Sequence, residues 1–304
     1  MLAAAGLDVR VNSRPTAVEP DRLARQAACH DAVICLATDR IDGAVIDAAR
    51  ARCRIFANCA VGYDNIDVGA ARRAGIVVTH TPDVLTETTA DLTWALILAA
   101  ARRLGQAERV VRAGAWRGWS MLDFLGTDVG GGTIGVVGAG RIGTAVLRRA
   151  RGFSMRMLYT SRRDAEAADA LGARRVPLND LLANSDVVTL HVPLGESTRH
   201  MIDAGALQRM KNSAILVNTA RGAVIDEAAL IAALREGRIA AAGLDVYESE
   251  PRVAPELLRM ENVVLLPHIG SATTATRQAM ANCAARNVIA VLRGQPPLTP
   301  IDEQ

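Results

Sequence analysis

An arginine, a glutamate and a histidine stand just past three short apolar runs in the second half of the chain. Arg221 lies in Asn218-Thr219-Ala220-Arg221-Gly222, Glu250 in Asp245-Val246-Tyr247-Glu248-Ser249-Glu250-Pro251, and His268 in Pro267-His268-Ile269-Gly270-Ser271. In a doubly wound sheet, ligands sit beyond the carboxyl ends of the strands, so three such ends can meet at one site. A guanidinium grips a carboxylate and polarises the neighbouring ketone oxygen. An imidazolium donates a proton, and a carboxylate beside it favours the charged ring and fixes its orientation. The set suits reduction of a 2-oxo acid, with hydride arriving at the carbonyl carbon as the proton reaches its oxygen. Taken singly, each residue has a plainer reading: a strand-end Arg or Glu is ordinarily a surface ion pair, and a lone His is ordinarily structural.

A hydride donor has its own signature in the run Val137-Gly138-Ala139-Gly140-Arg141-Ile142-Gly143. It follows the apolar stretch Thr133–Val137 and opens a helical pattern. Gly138 allows the tight turn, Gly140 lets the backbone approach a pyrophosphate, and Gly143 lets the helix pack close to the strand. The helix N-terminus offers N–H groups and positive dipole to the phosphates. The second strand then ends Leu158-Tyr159-Thr160-Ser161-Arg162-Arg163, without the acid that would bind a ribose 2′-OH. A serine and two arginines suit a 2′-phosphate instead. NADP(H) is therefore expected as the preferred cofactor, with NAD(H) as the alternative. Asp164, one step late, complicates this, and an exposed basic turn is the plainer reading.

Strand-like and helical runs alternate throughout the chain, as in parallel sheets covered by helices. In the first part, strands are predicted at Asp8–Val11, Ala32–Ala37, Arg54–Ala57 and Ile76–Thr79, with helices at Asp21–Ala28, Gly43–Arg52 and Val68–Ala74. A long apolar helix, Thr88–Arg103, should be buried between layers. Six strands follow, near Thr133–Val137, Arg156–Thr160, Val187–His191, Ala214–Asn218, Ala241–Leu244 and Val263–Leu266. The last helix, Ala275–Arg293, should return to the first domain. The expected fold class is α/β, with two doubly wound (Rossmann-like) parallel-sheet domains and the active-site cleft between them. Residues 1–80 and 271–304 would form a discontinuous substrate (catalytic) domain, and 81–270 an NAD(P)-binding domain.

Composition narrows the classes. Half of the 304 residues are hydrophobic and only 3% are aromatic, so Ala, Val, Leu and Ile must build the core. A net charge of +3 with scattered arginines does not argue for nucleic acid. No apolar run reaches membrane-spanning length, and the N-terminus is too short and uncharged for a signal peptide. Cys29, Cys35, Cys53, Cys59 and Cys283 lack metal-ligand spacing and read as reduced, mostly buried thiols. The expectations are a cytoplasmic protein with no bound metal, no nucleic-acid partner and no membrane partner.

The chain is similar to the D-isomer-specific 2-hydroxyacid dehydrogenase family, and within it to the glyoxylate/hydroxypyruvate reductase branch. The resemblance rests on the segments above and on Val61-Gly62-Tyr63-Asp64-Asn65-Ile66-Asp67, Thr81-Pro82-Asp83-Val84-Leu85-Thr86, Thr89-Ala90-Asp91 and Phe124-Leu125-Gly126. It runs from about residue 36 to about residue 295, and the order and spacing of the segments are highly specific. The separations of 29 residues from Arg221 to Glu250 and 18 from Glu250 to His268 resemble the family's.

The resemblance implies that Arg221 binds substrate, Glu250 partners the histidine and His268 is the acid/base. Val61 and Gly62 would hold the substrate carboxylate through backbone N–H groups, although a plain strand-to-helix turn is the other reading. Ala139, Gly140, Arg141 and Ile142 would meet the pyrophosphate, and Ser161, Arg162 and Arg163 the 2′-phosphate. Thr89 and Asp245 would lie at the nicotinamide, and Thr219, Ala220 and Gly270 would also contact the cofactor. A helix cap is the alternative for Asp245. Trp116-Arg117-Gly118-Trp119-Ser120 resembles a homodimer arm, either reaching the partner's active site or simply packing. One departure is that the family begins with a strand and turn before a segment like Leu7–Asn12, for which Met1-Leu2-Ala3-Ala4 leaves no room. This puts the first domain's sheet edge in question and leaves the catalytic set intact. The expected activity is NADPH-dependent reduction of glyoxylate and hydroxypyruvate to D-2-hydroxy acids. The alternatives are another 2-hydroxy acid or phosphite as substrate, or a non-catalytic dinucleotide-sensing protein.

Overall fold

Short apolar runs separated by helices leave parallel pairing with right-handed crossovers as the natural connection. The computed structural model, which describes residues 1–13 and 18–301, contains two such sheets. The chain divides into one unit formed by Met1–Leu85 with Ala272–Gln304 and a second formed by Thr86–Ser271.

The first unit runs α1 (Pro20–Cys29), β1 (Ala32–Cys35), α2 (Gly43–Ala49), β2 (Ile55–Asn58), α3 (Val68–Arg73) and β3 (Val77–Thr79). The strands pair in parallel in the order β1-β2-β3, with Ala32 opposite Ile55 and Ile55 opposite Val77. Successive residues of β2 enter different cores, as strand geometry requires. Phe56 is buried with Leu23, Val45, Ile46 and Ala71. Ile55 and Ala57 pack with Ala284, Val288 and Val291 of the last helix, Thr274–Leu292.

The strand expected at Asp8–Val11 does not form. Its two β-branched residues, Val9 and Val11, are both exposed, so pairing would bury no apolar face there. β1 also stops two residues early, because Asp39 takes the Leu36 N–H at 2.9 Å and turns the chain. Of the cysteines, only Cys35 and Cys53 are fully buried, and Cys29 is exposed.

The second unit opens with α4 (Thr86–Ala101) and α5 (Leu104–Arg112). It continues through β4 (Thr133–Val137), α6 (Arg141–Ala150), β5 (Arg156–Thr160), α7 (Glu166–Asp169), β6 (Arg174–Arg175), α8 (Leu178–Asn184) and β7 (Val187–Leu190). Then come α9 (Ala204–Arg209), β8 (Ile215–Asn218), α10 (Glu227–Arg235), β9 (Ala241–Leu244), α11 (Pro255–Arg259) and β10 (Val263–Leu265). The parallel sheet has seven strands in the order β10-β9-β8-β7-β4-β5-β6. The strand order reverses between β4 and β7, the topological switch point at which such sheets bind ligands. Six strands were expected; the seventh, β6, consists of two exposed arginines and carries no apolar signal. Helices α5 and α11 were also not anticipated.

Alternation builds both faces of this sheet. Ile134 and Val136 of β4 join Ile215 and Val217 of β8 in one core, and Val137 and Leu216 enter the other. Each such side chain contributes about 1.5–3 kcal/mol on burial. α4 is not buried all round, since Asp91 and Ala95 are exposed. Glu87 and Asp91 pair instead with Arg148 and Arg149 of α6. Trp94 stacks on Phe153 at 4.4 Å and donates its indole N–H to the Val146 carbonyl at 3.1 Å, fixing α4 against the helix that follows the glycine turn.

Candidate active site

All seven strands of the second unit are parallel, so their carboxyl ends share one edge of the sheet. The glycine turn leaves β4 there. Gly138 has φ +97°, and a Cβ on it would lie 2.6 Å from the His191 carbonyl oxygen. A Cβ on Gly143 would lie 2.1 Å from the Gly138 carbonyl oxygen, so the close helix–strand approach requires glycine. Gly140 is different, because a Cβ there would enter open space, and both Gly140 and Arg141 are exposed.

Some helix starts in this unit carry a side-chain cap and others, α6 among them, do not. In this unit α9 and α10 begin with Asp203 and Asp226, whose carboxylates accept backbone N–H groups at 2.8 and 3.0 Å. α6 begins at Gly140, with no side-chain cap. Such an end favours an anion. The residues present therefore fit a dinucleotide pyrophosphate, with Ala139, Gly140, Arg141 and Ile142 in the turn. When bound, a reduced nicotinamide dinucleotide supplies hydride.

Past β5, Ser161 donates its hydroxyl to the Arg163 carbonyl, and Arg162 and Arg163 are exposed. Asp164 does not stand alone here, because its carboxylate pairs with Arg175 of β6.

The chemical residues gather at the ends of β8, β9 and β10. Asn218 closes β8 by donating to the Arg221 carbonyl at 2.8 Å and accepting from the Ala220 N–H at 3.0 Å. Gly222 packs against the loop after β9 so closely that a Cβ would lie 1.9 Å from the Tyr247 carbonyl carbon. That approach brings Arg221 near Glu250. The Glu250 carboxylate accepts the Tyr247 N–H at 3.0 Å on one oxygen and faces Nδ1 of His268 at 2.8 Å with the other. Burial works to raise the Glu250 carboxyl, but the His268 hydrogen bond and charge, the Tyr247 N–H and the Arg221 charge together hold it below the ordinary value.

His268 is held in the left-handed region, at φ +54°. Such a conformation costs about 1–3 kcal/mol in a non-glycine residue and persists only where its surroundings enforce it. Asp245 provides the enforcement. Its carbonyl accepts the His268 N–H at 2.9 Å, and its carboxylate accepts Ile269 N–H at 2.7 Å and Gly270 N–H at 2.8 Å. Burial nonetheless raises the Asp245 carboxyl above its usual value. No helix begins at Asp245, so the cap reading fails. Thr89 of α4 donates to the Gly270 carbonyl at 3.1 Å, and Thr93 joins Thr89 to Thr219 through contacts of 2.8 and 3.0 Å. The Tyr247 hydroxyl donates to the Leu266 carbonyl at 2.8 Å, and burial pushes it up to about 12.

Val61 and Gly62 lie in the first unit, just past β2. Their carbonyls are held by His80 at 2.9 Å and Asn58 at 2.9 Å. Thr93, Arg175 and Tyr247 are the supporting residues that the sequence did not single out. The first is an ordinary buried helix position, and the other two act through contacts that no local spacing reveals. Among the described residues no cluster of three or more His, Cys, Asp or Glu could hold a metal ion, and no helix is long and apolar enough to cross a membrane.

Known proteins resemble this chain in sequence and in fold. The family model described as "D-isomer specific 2-hydroxyacid dehydrogenase, NAD binding domain" matches residues 94–270. A glyoxylate reductase of Thermococcus onnurineus is 53% identical over 279 residues, covering 90% of this chain and 83% of the relative. A solved structure from Thermus thermophilus superposes with a TM-score of 0.92 at 43% identity, covering 99% of this chain and 95% of the other. The NADPH-dependent glyoxylate/hydroxypyruvate reductase of Sinorhizobium meliloti, solved with NADP and malonate, gives a TM-score of 0.85 at 37% identity, covering 93% and 87%. The chain belongs to the D-isomer specific 2-hydroxyacid dehydrogenase family. It is an oxidoreductase that uses a nicotinamide dinucleotide and resembles the glyoxylate/hydroxypyruvate reductase branch of that family.

Proposed function

We propose that this enzyme reduces glyoxylate to glycolate and hydroxypyruvate to D-glycerate, with NADPH as the preferred reductant and His268 as the proton donor. The observation that carries the reading is the 2.8 Å pairing of Nδ1 of His268 with Glu250, with Arg221 brought alongside. Arg221 grips the substrate carboxylate and polarises the ketone oxygen. With Nδ1 committed to Glu250, Nε2 of His268 hands its proton to that oxygen, and the Glu250 charge stabilises the imidazolium before transfer. Val61 and Gly62 supply backbone N–H groups to the substrate carboxylate. The glyoxylate reductase relatives support the substrate assignment.

The cofactor preference rests on Ser161, Arg162 and Arg163, with no acid at the expected position. Charge-assisted hydrogen bonds from these groups suit a phosphate. The unit Met1–Leu85 with Ala272–Gln304 serves substrate, and the unit Thr86–Ser271, a few residues shifted from the expected 81–270, serves the dinucleotide and carries Arg221, Glu250 and His268. Exposed Trp116, Trp119, Met121, Leu122 and Leu125 support a homodimer built on this arm. A cytoplasmic location completes the reading.

Steady-state oxidation of NADPH and NADH against a panel of 2-oxo acids, for wild type and Arg162→Ala, tests this. The expected result is turnover of glyoxylate and hydroxypyruvate, with kcat/KM higher for NADPH and that preference lost in the variant. A wild-type preference for NADH overturns the cofactor assignment. Tight NADPH binding without turnover of any 2-oxo acid overturns the catalytic one.

A further inference from the structure

Arg175 belongs to the shortest strand of the second unit, at the edge of the sheet. Its backbone register sets it opposite Tyr159, one residue before β5 ends. From there its guanidinium makes three contacts to the loop that follows β5. One nitrogen pairs with the Asp164 carboxylate. The other donates to the Ser161 carbonyl at 2.8 Å and to the Arg162 carbonyl at 3.3 Å. The Ser161 hydroxyl turns back onto the Arg163 carbonyl and tightens the same loop.

This loop carries Ser161, Arg162 and Arg163, followed at once by an acid. An unpaired carboxylate one residue from these groups repels a phosphate and competes for the neighbouring guanidiniums. Arg175 removes that competition by taking Asp164 itself, and its two carbonyl contacts keep it there. The pair is exposed, with side-chain accessibilities of 42% and 78%, so it contributes little to overall stability. Its effect is on which charges the loop presents.

We propose that Arg175 is a specificity-determining residue: by neutralising Asp164 it keeps the Ser161–Arg163 loop receptive to a ribose 2′-phosphate. The inference rests on the NADP(H) reading and extends it to a strand that the glycine fingerprint does not include.

The test is calorimetric binding of 2′,5′-ADP and 5′-AMP to the whole enzyme, with NADPH kinetics alongside. The comparison uses wild type, Arg175→Ala and the double variant Asp164→Asn/Arg175→Ala. Wild type should bind 2′,5′-ADP more tightly than 5′-AMP. Arg175→Ala should weaken 2′,5′-ADP about tenfold, the scale of one charge-assisted contact, and leave 5′-AMP as in wild type. Removing the carboxylate in the double variant should restore most of the loss. If wild type discriminates and Arg175→Ala still binds 2′,5′-ADP as well, the role of Arg175 is overturned and the cofactor reading stands. Equal weakening of both probes, or no recovery in the double variant, also overturns it. A wild type that does not distinguish the probes removes the cofactor reading and this inference together.

Discussion

The carboxylate of Glu250 reaches Nδ1 of His268 at 2.8 Å across 18 residues of sequence, and its other oxygen is pinned by the N–H of Tyr247. The glutamate is therefore anchored independently of the ring it orients. Asp245 accepts the His268 N–H on its carbonyl and those of Ile269 and Gly270 on its carboxylate. Two acids with separate attachments thus define where the imidazole lies, and the consequences can be measured one at a time.

Removing the proton donor while keeping its size isolates the chemical step. His268→Gln is expected to lower kcat about 10²–10⁴-fold, with dinucleotide affinity by fluorescence titration unchanged. A rate near that of wild type would take His268 out of the mechanism.

Acid should expose the Glu250 interaction as a stability effect. An unfolded glutamate titrates near about 4.3, and the folded group lies below its ordinary value. The unfolded state therefore binds more protons as pH falls. The stabilisation is complete above the unfolded value and is lost as pH drops through the folded one. Urea midpoints of wild type and Glu250→Gln should differ at neutral pH, and the gap should shrink as pH falls below the unfolded value of about 4.3. A gap that stays constant into acid contradicts this assignment.

Two glycines of one turn should fail in different ways. A Cβ on Gly143 would lie 2.1 Å from the Gly138 carbonyl oxygen, so Gly143→Ala must shift helix or strand and should cost about 1–3 kcal/mol of stability. Gly140→Ala meets open space and should keep its melting temperature while NADPH affinity falls. Thermal unfolding and equilibrium binding on the same pair separate the effects. Equal stability loss in both would contradict the distinction.

The Tyr247 hydroxyl ties the end of β9 to Leu266, two residues before His268. Tyr247→Phe deletes that bond and should cost about 0.5–1.5 kcal/mol. Because the loosened segment carries the proton donor, kcat should fall while KM for the 2-oxo acid changes little. A KM effect alone would place Tyr247 with substrate binding instead.

Much of this was legible in the residues. Gly138 and Gly143 announce themselves because the conformation of one and the crowding of the other exclude any side chain. β4, β7, β8 and β9 are readable because every residue in them is buried, which leaves a compositional trace. What was missed lacks such a trace. β6 is Arg174–Arg175, defined only by its pairing with β5. Helix α5 buries no residue within this chain, so its pattern points to no core. The strand predicted at Asp8–Val11 shows the converse error, since alternation at Val9 and Val11 looks like a buried face where neither residue has one. At the candidate site, the types of Arg221, Glu250 and His268 suggested their chemistry. The clasp of Asp245 on Ile269 and Gly270 came only from the fold, because nothing local in either segment specifies the other.

The first unit is assembled from chain segments that precede and follow the second in sequence, and this has a consequence for synthesis. During translation Ile55 and Ala57 emerge long before Ala284, Val288 and Val291, which cover them. The three-stranded sheet must wait on the ribosome with one apolar side bare while residues 86–271 complete their own core. A nascent chain halted before the last helix should therefore protect its middle from protease and leave its beginning open to cleavage.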